Sequence, residues 1–148
     1  MNRAKIAFDI MASRKANCAQ TTFTAFSDEM GMSKKLALSV SQGFGGGMGH
    51  NGSVCGAVTG AYMAMGLALP ASEETPRQNI EKTYALMAEF NKKFKALHGS
   101  LNCTELTGYD LGKPEEMVKA RDAGVFTTRC PAFVRDAVEI VESLLKPA

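Results

Sequence analysis

Apolar residues in this chain recur every three to four positions, and each such stretch is bracketed by a capping residue, a glycine or a proline. That spacing is the helical one, and no stretch alternates with the period of two of a half-buried strand. The pattern predicts an all-α fold, a helical bundle with a central glycine-rich helix. Arg3 to Ser13 places Ala4, Ala7, Phe8 and Met11 on one face. Asn17 followed by Gln20 has the form of a capping box; it opens a helix with the stripe Ala19, Phe23, Phe26 and Met30, ended by Gly31. Ser33 caps a short helix containing Leu36, Ala37 and Val40. After a glycine-rich loop from Gly43 to Gly52, the apolar run from about Ser53 to Leu69 reads as a buried helix stopped by Pro70. Thr75-Pro76 starts the longest helix, with Ile80, Tyr84, Met87, Phe94 and Leu97 as its expected buried stripe and Gly99 as its stop. Pro114 starts another that Gly124 ends, and Pro131 starts the last, which carries Phe133, Val134, Val138, Val141 and Leu145. No repeat or linker divides the chain, and 148 residues suit a single domain spanning positions 1–148.

Charge narrows the function. A formal net charge of +2, with Lys and Arg scattered rather than striped, excludes a nucleic-acid footprint. The N-terminal segment carries Arg3, Lys5, Asp9 and Arg14 and has no uninterrupted apolar stretch of the signal-peptide kind. The run from Val54 to Leu69 falls short of the ~20 residues that span a bilayer, so no membrane insertion is expected. The expected compartment is the cytoplasm. There, four cysteines point to redox chemistry or metal binding rather than to structural disulfides.

The placing of those cysteines is informative. Cys18 follows Asn17, with Gln20 two residues on; Cys103 follows Asn102, with Glu105 in the equivalent place. Cys55 sits in the first turn after Ser53, and Cys130 directly precedes Pro131. All four are predicted at helix N-termini, where free N–H groups and the helix dipole favour an anion and lower a thiol pKa. Arg14, Lys15 and Arg129 lie close by in sequence and add positive charge. The separations of 37, 48 and 27 residues exclude a Cys-x-x-Cys motif and paired zinc knuckles, so a joint site must be assembled by the tertiary fold.

The segment Gly47-Met48-Gly49-His50-Asn51-Gly52 matches Gly-x-Gly-x-x-Gly, but it follows a helix rather than a strand, which argues against a dinucleotide site. It reads instead as a flexible turn whose amides cradle an anion or hydrogen-bond sulfur. Gly46, Gly47 and Gly49, with Gly56 beyond them, are the candidate cofactor-binding residues. His50 reads as a solvent-facing loop residue and His98 as a helix C-terminal cation. Gly52, Gly56 and Gly60, spaced by four, give a small-residue face that another backbone can approach; between two copies it would be a dimer seam.

The sequence resembles the redox-active family named for its pattern C_GCAxxG_C_C. The match runs through Asn17-Cys18-Ala19-Gln20, then Val54-Cys55-Gly56-Ala57-Val58-Thr59-Gly60 behind the glycine-rich segment, then Asn102-Cys103 and Cys130. In this chain Cys55 is preceded by Val54 and followed by Gly56. The resemblance implies a helical fold and a redox role for the cysteines, and it supplies no substrate.

Two chemistries fit these residues. In the first, a thiol oxidoreductase cycles between dithiol and disulfide, with Cys55 as the expected nucleophile, Cys18 or Cys103 resolving it, and an unknown redox partner. In the second, Cys18, Cys55, Cys103 and Cys130 are metal ligands, for an iron–sulfur cluster or zinc, in an electron-transfer module.

Overall fold

The computed structural model describes residues 2–146. Ten helical segments follow one another: α1 (Arg3–Ala12), α2 (Cys18–Ser27), α3 (Lys34–Ser41), α4 (Gly45–Met48), α5 (Gly56–Ala68), α6 (Pro76–His98), α7 (Cys103–Thr107), α8 (Pro114–Asp122), α9 (Val125–Thr128) and α10 (Cys130–Leu145). Among the described residues the extended pairing is a single antiparallel bridge, Val54 with Asn102. The all-α expectation is met.

The core is built on α5, which packs most extensively against α2, while α1 packs along α10. Small residues explain the first contact. Ala57, Ala61 and Ala64 of α5 are fully buried, and Gly56 and Gly60 face α2 so closely that a β-carbon at Gly60 would lie 2.7 Å from the Ala19 carbonyl oxygen. This small-residue face is therefore not a dimer seam: α2 fills it. Gly52 lies outside the helix, which starts at Gly56 rather than Ser53, and packs against Thr104 instead. The stripe of α10 is as expected, with Phe133, Val134, Val138 and Val141 buried.

The α6 stripe differs. Phe90 and Phe94 are its buried residues, while Ile80, Tyr84 and Leu97 are exposed. The reason is geometric. Phe90, Phe94 and His98, spaced by four, share the face that meets α10, where Phe94 and His98 both pack beside Phe133. Leu97 belongs to a neighbouring face that nothing covers. His98 does end α6, as expected, and its Nε2 also meets the Asp136 carboxylate at 2.9 Å.

Candidate functional site

Cys18, Cys55, Cys103 and Cys130 are buried, and all four line one cavity of about 150 Å³. Four separate helix starts bring them there. Cys18 is the first residue of α2, Cys103 of α7 and Cys130 of α10, and Cys55 is the N-cap of α5. The expected clustering of helix N-termini is present, but different forces hold each one.

At Cys18 the local sequence suffices. The Asn17 side chain accepts from the Gln20 amide at 2.9 Å and the Gln20 side chain accepts from the Asn17 amide at 3.0 Å, closing the capping box. The same two side chains tie this corner to the next helix, since the Asn17 amide group donates to the Gln42 carbonyl at 2.9 Å and that of Gln20 to the Leu38 carbonyl at 3.1 Å. Asn17→Ala loses a cap and a tertiary bond and should cost about 1–2 kcal/mol in urea unfolding.

At Cys103 the expected second capping box is absent: the Asn102 side chain caps nothing. Long-range backbone pairing takes its place. The Cys103 amide donates to the Ser53 carbonyl at 2.7 Å, the Thr104 amide to Gly52 at 3.3 Å, and the Cys55 amide to Leu101 at 2.8 Å. The first two amides of α7 are thus engaged by long-range partners, and the segments bearing Cys55 and Cys103 are stitched together.

The glycine-rich segment forms the roof. Gly46, Gly47, Met48, Gly49 and His50 have five consecutive φ values between +64° and +71°. The Gly49 amide donates to the Gly45 carbonyl at 2.8 Å, which closes one turn of left-handed helix. Left-handed helix costs roughly 1–2 kcal/mol for each residue with a β-carbon, so the three glycines make the turn affordable; Met48 is exposed, and His50, exposed as well, lies against Gly46 and lines the chamber at its edge. At Gly47 a β-carbon would also sit 2.6 Å from the Ser53 nitrogen and 2.7 Å from the Cys103 β-carbon.

This arrangement makes the four sulfurs unequal. The Cys55 thiol, and the backbone amides of Gly46, Ala19 and Gly56, surround the Cys18 sulfur; together they outweigh burial and lower its pKa from 9.0 to about 6. Cys55, the donor to that thiolate, is pushed well above 9.0 by holding its proton against Cys18 and by burial. Cys103 and Cys130 are both pushed up to about 12, first by burial and then by the charge of Cys18. The lowered thiol is therefore Cys18 and not Cys55. Of the predicted glycines, Gly46 and Gly56 supply amides to sulfur, Gly47 is packed on Cys103, and Gly49 only turns the chain. Of the predicted cations, Arg14 and Arg129 act on Cys130, partly offsetting its rise. The sequence reading missed the apolar wall: Met11, Leu106, Leu111, Met117, Phe126 and Phe133. These are distant in sequence and carry no motif. Among the described residues no three His, Cys, Asp or Glu side chains stand in metal-ligating geometry.

Comparison with known proteins bears on this four-cysteine chamber. The sequence profile of a family described as "Putative redox-active protein (C_GCAxxG_C_C)" matches residues 16–144, which include all four cysteines. The chain belongs to the C_GCAxxG_C_C family. An "Uncharacterized protein" from Archaeoglobus fulgidus is 31% identical to it over 142 residues, covering 88% of this chain and 85% of that one. No solved structure matches. Among the described residues no helix is long and apolar enough to cross a membrane.

Proposed function

We propose that this C_GCAxxG_C_C protein is a dithiol–disulfide redox protein in which Cys18 is the attacking thiolate and Cys55 the resolving thiol. One observation carries the reading: Cys18 and Cys55 line one chamber at the starts of two packed helices, with Gly56 against the Cys18 sulfur, and of the four thiols there Cys18 is the one whose pKa is lowered, first by Cys55. A thiolate stabilised near neutral pH is a good nucleophile. Cys55 is the natural second partner, since it is the thiol with the largest influence on Cys18. Oxidising the thiolate–thiol pair to the disulfide releases two electrons and one proton to an acceptor. Cys103 and Cys130, held protonated, remain as spectators in that cycle.

Mild oxidation of the reduced chain with diamide, followed by alkylation and peptide mass spectrometry, tests the pairing. The expected product is a Cys18–Cys55 disulfide with Cys103 and Cys130 alkylated. A dominant Cys103–Cys130 disulfide would assign the chemistry to the wrong pair here.

A second reading rests on all four thiols lining one chamber. Four thiolates are the donor set of an iron–sulfur cluster. The residue types fit such a cluster, whereas no three of them are arranged as ligands of a single zinc ion. Iron and acid-labile sulfide in protein purified without oxygen would decide for the cluster.

A further inference from the structure

The acceptor of those electrons has to reach Cys18, and the chamber restricts what can. Building on the dithiol reading, we infer that the oxidant of the Cys18–Cys55 pair is a small hydroperoxide that enters the chamber, rather than the disulfide of another protein.

Size comes first. The chamber measures about 150 Å³, a space of the size that holds one benzene molecule. Cys18 is 8% exposed and Cys55 5%. In exchange with a protein disulfide, the attacked sulfur must meet Cys18 in line with the S–S bond, and it brings two β-carbons and their backbones with it. The left-handed turn and the Asn17 side chain roof the space those atoms would need. A two-oxygen molecule has no such requirement.

Charge comes second. Cleaving a hydroperoxide generates hydroxide or alkoxide, so a cation at the wall lowers the barrier. Arg14 lines the chamber. Its own backbone is left-handed, with φ 59°, and its guanidinium is held 4.9 Å from the centre of the Phe126 ring, another lining residue. Among the described residues it makes no ion pair, in contrast to Arg3 and Arg135. The turn after α1 thus presents an uncompensated cation to a chamber whose remaining wall is largely apolar.

The step balances. The Cys18 thiolate attacks one oxygen, the O–O bond breaks, and the other oxygen leaves as hydroxide or alkoxide beside Arg14, taking a solvent proton to become water or alcohol. Cys18 is left as the sulfenic acid. The Cys55 sulfur then attacks the Cys18 sulfur, the S–O bond breaks, and the oxygen departs as water with the Cys55 proton. The dithiol has lost two electrons and the hydroperoxide has gained them.

The test compares oxidants at equal concentration on the reduced full chain, following Cys18–Cys55 disulfide formation by acid quench and mass spectrometry. Hydrogen peroxide should react at least 100-fold faster than oxidised glutathione or insulin, with tert-butyl hydroperoxide between them. In Cys55→Ser, hydrogen peroxide should leave a sulfenic acid on Cys18 that dimedone captures. Arg14→Gln should slow the peroxide reaction about tenfold while leaving iodoacetamide alkylation of Cys18 unchanged, because iodide leaves without help. Faster oxidation by glutathione disulfide or insulin would overturn the hydroperoxide inference and leave the dithiol reading standing. Failure of every oxidant to form the disulfide, in protein whose Cys18 still alkylates, would overturn both.

Discussion

Gly56→Ala should destabilise the fold by about 2 kcal/mol or more and abolish the fast reaction of Cys18. The added methyl would overlap the Cys18 sulfur and lie 2.8 Å from the backbone nitrogen of Ala19. Neither neighbour can yield, because the first belongs to a buried side chain with one rotatable bond and the second to the capped first turn of α2. An alanine in a helix normally gains up to about 1 kcal/mol over glycine, so overpacking must exceed that gain to show. Gly66, in the same helix, isolates the difference. A β-carbon there meets nothing within 4 Å, and Gly66→Ala should therefore raise stability by about 0.5–1 kcal/mol. Urea unfolding of the two variants, with iodoacetamide kinetics on each, reads both halves of the prediction. Equal stabilisation by the two substitutions would mean that α2 and α5 are not in close contact at Cys18.

The second large effect is in pH dependence. Alkylation of Cys18 should rise through pH 6 and level off by about pH 7.5, while the other three thiols stay unreactive until the protein unfolds. With a pKa near 6, Cys18 at pH 7 carries roughly 30 times the thiolate of an ordinary thiol, which burial then partly offsets in rate. Of the titratable groups that line the chamber with Cys18, namely Cys55 on α5, Cys103 on α7, Cys130 on α10, Arg14 after α1 and His50 in the left-handed turn, Cys55 is the one that lowers the Cys18 pKa, joined by the backbone at Gly46, Ala19 and Gly56. Stability follows with a definite sign. The Cys18 pKa is lowered by folding, so its contribution is complete above 9.0 and is lost as pH falls from 9.0 through about 6. Cys55, Cys103 and Cys130 are raised, so theirs are complete below 9.0 and are lost as pH climbs toward 12 and beyond. Urea midpoints should accordingly increase from pH 6 to about 9 and fall above it, and Cys18→Ser should flatten the rising limb and make the falling limb shallower, since Cys18 contributes to the rise of the other three thiols. A thiol profile with no inflection below pH 8 would remove the basis for assigning Cys18 as the nucleophile.

What the sequence disclosed, and what it withheld, divides along a physical line. The start of α2 was legible because Asn17 and Gln20 settle it among themselves. The α10 stripe was legible because Phe133, Val134, Val138 and Val141 recur at helical spacing and are buried together among α1, α2, α5 and α6. The start of α7 reads Asn-Cys-x-Glu where that of α2 reads Asn-Cys-x-Gln, and it behaves differently: its first two amides pair with the Ser53 and Gly52 carbonyls, and its Asn caps nothing. The α6 stripe was misjudged at Leu97 because that residue lies beside the row of Phe90, Phe94 and His98 that meets α10, and periodicity does not report which face has a partner. The choice between Cys18 and Cys55 was likewise out of reach. Both stand at helix starts, and the balance is tipped by Gly46 and Gly56, which arrive at Cys18 only through tertiary packing.

The packing of α1 along α10 has a consequence for how the protein comes into being. These helices lie at opposite ends of the described chain, and Met11 and Cys130 on their facing ends both wall the chamber. Closing so long a loop is entropically costly and comes after local helices have formed. The influences that lower Cys18 come instead from α2, from Cys55 and Gly56 at the start of α5, and from the left-handed turn, all within the first half of the chain. The chamber thus has two layers of different reach along the sequence: a near one that sets the thiol, and a far one, Met11 with Cys130, that walls it in.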